Sequence, residues 1–161
     1  MTIPLGGLFS ILVLLPNLLV IIYPPQEAPT KDGQKSRLAR VMEILERVGQ
    51  VGAFVLPFLY TIEIDEEALF SLVIMFLALS FYYAGWARYL LGGRKYSLLF
   101  KPMLGFPLPM AVCPVIFFLS ASFVLHSVFL GAAALVLAAG HIYGSYLELR
   151  KVERVSASPG K

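Results

Sequence analysis

Long apolar runs separated by short polar stretches divide this chain into five segments. Residues 5–23, LGGLFSILVLLPNLLVIIY, carry no charge, and Pro24-Pro25 follow them. Proline lacks the backbone donor and cannot continue a helix, so the first element ends there. The polar stretch PPQEAPTKDGQKSRLA, 24–39, precedes a second run from Arg40 to about Thr61. The acidic turn EIDEE, 63–67, leads to a third run over 68–90, then to the basic connector GGRKYSLLFKPMLGF. From Pro107 to Leu147 the chain is apolar almost without pause. As one helix that stretch would be roughly 60 Å long, about twice the thickness of a hydrocarbon core. It must fold back, and the one polar break near its middle is His126-Ser127. The pattern predicts helices over 5–23, 40–61, 68–90, 108–125 and 128–148, with a basic tail over 149–161, all in a single domain. Pro16, Pro57 and Pro114 should kink their helices, Asn17 should bond to a neighbouring helix, and Pro107 and Pro109 suit a first helical turn.

Composition fixes the class. Hydrophobic residues make up 58% of the 161 and charged residues only 14%, where a soluble domain keeps about a quarter charged. Mean hydropathy is +0.79. The expectation is an all-α integral membrane bundle of five transmembrane helices. Lys31, Lys35, Arg37 and Arg40 fall in the first loop, Arg94, Lys95 and Lys101 in the third, and Arg150, Lys151, Arg154 and Lys161 in the tail. The other connections carry no Lys or Arg. Basic residues beside spans stay cytoplasmic, so the amino terminus is expected outside and the carboxy terminus inside a plasma or inner membrane. Anionic head groups account for the net charge of +3 without nucleic acid. The first residues, MTIPLGG, lack the basic start of a signal peptide. The single cysteine, Cys113, excludes an internal disulfide and a cysteine metal site.

The second run departs from the apolar rule. Glu43, Glu46, Arg47 and Gln50 share one helical face, within an arc of about 100°. Three charges facing lipid at depth, each costing about 2.5–3.5 kcal/mol, would cancel the insertion energy of the whole run. They must therefore lie near the cytoplasmic end, against other helices or along a cavity. His141, Ser145 and Glu148 form a matching stripe on the fifth run at i, i+4, i+7. The two stripes come to similar depth in antiparallel spans, which predicts Arg47 near Glu148 and Gln50 near His141. Gly49, Gly52, Ala53 and the Gly140–Gly144 GxxxG pair permit a close approach. The plainer reading of such stripes is structural glue.

Tyr82, Trp86 and Tyr89 share a face of the third run. They read first as an aromatic belt at the interface, with Arg88 reaching out to it, and second as the edge of a pocket. The connector 101–110 is apolar but broken by Pro102, Gly105, Pro107 and Pro109. It reads as an ordered loop that could cover a cavity between the second and fifth helices. His126 lies at the opposite turn from His141, so the two share no metal, and no catalytic or phosphate-loop motif is present. No cofactor is indicated.

These features support a cytoplasm-facing intramembrane pocket lined by Glu43, Glu46, Arg47, Gln50, His141, Ser145 and Glu148, with Tyr82 or Trp86 at its edge. It would bind, or help transport, a small polar or amphiphilic ligand. One alternative is a membrane enzyme acting on a lipid or prenyl substrate at the cytoplasmic leaflet. Another is an accessory subunit bound to a second membrane protein or to its own copy.

Overall fold

A computed structural model of the chain describes residues 5–28, 35–62 and 66–157. It is all-α: α1 (Gly6–Ile22), α2 (Arg37–Val55), α3 (Glu66–Leu91), α4 (Pro109–Val124) and α5 (Val128–Ala157). Short 3-10 turns occupy Leu56–Leu59 and Tyr96–Leu99. No strand forms among the described residues, only isolated bridges between Gln26 and Lys95 and between Met103 and Phe106. Most of the acidic turn at 63–67 lies outside the described residues. Two helices, over Ala68–Leu91 and Val128–Ala157, are long and apolar enough to cross a membrane. α1 and α4 are apolar but shorter, at 17 and 16 residues.

Local chemistry sets the ends. α2 starts three residues before the expected Arg40, because Ser36 Oγ accepts the Ala39 N–H at 3.2 Å and caps it. It ends at Val55 rather than Thr61, since Pro57 turns the chain into a 3-10 helix. Pro109 opens α4 as expected. The hairpin falls at His126-Ser127 without a glycine: His126 adopts φ 46°, and Ser127 Oγ accepts the Leu130 N–H. A left-handed non-glycine residue costs about 1–2 kcal/mol, so the apolar helices on either side must hold the turn closed. α5 continues nine residues beyond the expected 148 to Ala157, so the start of the basic tail is helical.

α2 packs along α5, α3 along α4, and α4 along α5. The core gathers around α4, where Phe118 is fully buried between Phe54 of α2 and the neighbouring Phe117 in edge-to-face contacts. α1 is tied to α3 by tyrosine hydroxyls. Pro16 removes the N–H that would have reached the Leu12 carbonyl, and Tyr83 Oη donates to that carbonyl at 2.8 Å. Tyr82 Oη donates to Asn17 Oδ1 at 2.7 Å, which is the interhelical bond expected of Asn17. Tyr89 Oη donates to the Tyr23 carbonyl at 2.8 Å.

These contacts correct the belt reading. Tyr82, Trp86 and Tyr89 are 3%, 5% and 0% exposed and belong to the core. Their shared face turns inward because each hydroxyl finds a partner on α1 and the rings pack edge to face. Arg88 does not reach for lipid head groups either; its guanidinium donates to the carbonyls of Leu98, Lys101 and Pro102 and clamps the connector. Tyr83→Phe leaves the Leu12 acceptor without a donor and is expected to destabilise the bundle by about 1–2 kcal/mol. A detergent unfolding titration measures this, and no change would mean that the carbonyl finds another donor.

Candidate functional site

Small residues bring α2 and α5 together before any polar group meets. A Cβ on Gly140 would collide with the backbone of Met42 and Glu46. One on Gly49 would strike the backbone of Leu137 and Ala133. The helices therefore touch backbone to backbone, as small-residue faces allow. One turn further out, Gly144 has room: a Cβ there would stand 3.4 Å from Glu46 Oε2, an ordinary contact.

At this crossing Glu46 Oε1 meets His141 Nδ1 at 2.7 Å, both side chains 28% exposed. The two polar stripes do face each other, but in a different register from the expected one. Arg47 bonds to Glu43 at 2.8 Å and is 75% exposed, so it does not approach Glu148. The i, i+4 order satisfies Arg47 on its own helix. Lys35 completes that group at 2.6 Å from Glu43. Glu148 takes Lys151 at 2.6 Å and accepts the Tyr96 hydroxyl at 2.9 Å. Burial, and then the Glu148 carboxylate beside it, push the Tyr96 phenol above its ordinary 10. The partner expected for His141, Gln50, is exposed; it stays beside His141 only as part of a cavity wall.

Two cavities adjoin at His141. The first, about 350 Å³, is lined by Lys35, Glu43, Glu46, Glu148 and Lys151. The second, about 360 Å³, is lined by Asn17, Gln50, Phe54, Trp86, Met110 and Leu137, with Tyr82 also on its wall. His141, Ser145 and Phe100 line both. One is charged and the other largely apolar, so the pair forms an amphipathic cleft with His141 and Ser145 at the neck. Tyr82 and Trp86 are walls of the apolar part, not its outer edge. Trp86 Nε1 is buried with no hydrogen-bond partner among the described residues. Buried indole donors normally find one.

The connector supplies residues that the stripe pattern missed. Tyr96 and Phe100, four residues apart, pack ring to ring at 4.9 Å. Tyr96 is held by Glu148, and Phe100 borders both cavities. The proline-broken segment is readable as a cover, but the aromatic ring that borders both cavities, Phe100, lies just ahead of the stretch 101–110. Lys35 and Lys151 were read only as topology signals, although both line the charged cavity. Compared with protein-family models, curated proteins and solved structures, the chain matches none of them.

Proposed function

We propose that the chain is a five-span membrane protein, amino terminus outside and carboxy terminus cytoplasmic, whose α2–α5 cleft binds a small amphiphilic molecule from the cytoplasmic leaflet. Large apolar side chains more than half exposed on four helices support immersion in lipid: Leu15 and Ile22, Ile44 and Val48, Phe70 and Phe76, Phe129 and Leu135. Soluble monomers rarely expose contiguous apolar patches above a few hundred Å². The orientation is supported by the meeting of the first and third loops, where Gln26 exchanges backbone bonds with Arg94 and Tyr96. Lys35 and Lys151 border one cavity at that same end.

The observation that carries the binding reading is the Glu46–His141 pair at the junction of a charged and an apolar cavity. Ionisable groups that far into a span usually belong to a ligand or ion path, and cavities of this size suit a small molecule. Native mass spectrometry of the protein released from detergent is expected to show a bound non-protein mass. Ser145→Phe, which places a ring in the neck, should remove that mass while leaving the helical circular dichroism of the folded protein unchanged. A bare wild-type peak overturns the reading.

A second reading, an accessory subunit, has its own support in Arg47. It is 75% exposed beside the exposed Ile44, Val48 and Val51, and a partner span would relieve the cost of that charge in lipid. A stoichiometric polypeptide in place of the small mass would favour it.

A further inference from the structure

Resting on the ligand-binding reading, we infer that the molecule in the cleft has a cationic head, an ammonium or protonated amine on a single apolar chain, and that Glu46 is its counter-ion. The charges of the first cavity single out Glu46. Glu43 is met by Lys35 and Arg47, and Glu148 by Lys151 and the Tyr96 hydroxyl. Among the described residues Glu46 has only His141, an imidazole that is charged only when protonated. That bond uses Oε1. Among the described residues Oε2 accepts no hydrogen bond, and it lies over Gly144, where the missing side chain leaves its edge open.

A carboxylate partly withdrawn from water, with one oxygen unmet, attracts a cation through a charge-assisted bond roughly twice as strong as a neutral one. An anionic head would meet the opposite balance. The two lysines of the cavity are already held 2.6 Å from Glu43 and Glu148, and Oε2 would repel the newcomer. Beyond the neck, Phe54, Trp86, Leu99, Met110 and Leu137 offer an apolar wall. A cavity of about 360 Å³ stands near the low end for small-molecule sites, so it suits one chain and not two.

The protein carries its own reporter, because its single tryptophan, Trp86, borders the apolar cavity. The purified full chain, in a neutral maltoside detergent, is titrated with tail-brominated undecyl amphiphiles bearing primary ammonium, sulfate or hydroxyl heads. The expected result is saturable Trp86 quenching by the ammonium compound at a concentration at least ~10-fold below that of the sulfate, about 1.4 kcal/mol. Glu46→Gln should abolish that preference, whereas Glu46→Asp, which keeps the charge, should retain it and so guard against a mere folding defect. Equal or tighter quenching by the sulfate, or a preference that survives in Glu46→Gln, overturns the head-group assignment and leaves the cleft reading standing. Absence of saturable quenching by all three heads overturns both.

Discussion

Gly140→Ala is expected to lower the unfolding temperature in detergent, while Gly144→Ala, one turn further along the same helix, leaves it unchanged or raises it. Intrinsic propensity acts equally on both, favouring alanine over glycine by about 1 kcal/mol in a helix interior. Space decides the difference. At Gly140 the new methyl meets backbone atoms of Met42 and Glu46, which cannot swing aside as a side chain can. Overpacking of that kind costs about 1–3 kcal/mol, so after the propensity gain the net loss should reach up to about 2 kcal/mol when the helices must separate to accept it. At Gly144 the new methyl would meet Glu46 Oε2 at ordinary contact distance. Gly49→Ala should behave as Gly140→Ala does, because it faces the backbone of Leu137 and Ala133. Thermal melts of the three variants in one detergent make the comparison. Equal melting of Gly140→Ala and Gly144→Ala would mean that α2 and α5 do not touch at this crossing.

The second large effect is expected at the Glu46–His141 pair. Among the described residues, Glu46→Ala removes the one hydrogen-bond partner of His141 Nδ1, and His141→Ala removes that of Glu46 Oε1. Each should cost about 1–3 kcal/mol, the range for stranding a half-buried polar partner. The double variant should cost less than the two single losses together, by about 1–2 kcal/mol, because the second truncation strands nothing further. A strictly additive double-mutant cycle would show that the two groups are solvated separately. Each side chain of the pair is 28% exposed, so water screens the coupling less than in a more exposed pair such as Arg47–Glu43, at 75% and 34%.

How much of this was readable from the residues depends on the kind of signal. Element positions follow from runs of apolar residues, and these located α1, α3, α4 and the turn at His126-Ser127 closely. The helical reach of α5 to Ala157 was not readable from hydropathy: residues 149–157 set four charged side chains among Leu149, Val152 and Val155, and their continuity with the helix and the burial of Val152 mark them as part of it. That the stripes on α2 and α5 meet followed from spacing and from glycines on both helices. Their register did not, since spacing fixes a face but not a one-turn offset. Arg47 could satisfy itself on Glu43 within its own helix, which freed Glu46 to take His141. The inward turn of Tyr82, Trp86 and Tyr89 was hidden for a similar reason. An amphipathic ring suits an interface and a polar core bond equally well, and the acceptors at Asn17 and Tyr23 lie more than sixty residues away.

The bond from Tyr83 to the Leu12 carbonyl bears on the order in which the chain can assemble. In the proposed five-span arrangement α1 is synthesised and inserted before α3, yet Pro16 leaves it with an acceptor that hydrocarbon cannot satisfy. The donor is 71 residues downstream. The first helix therefore settles fully only after the third has emerged, so early truncation products that lack α3 should be retained by the insertion machinery or degraded.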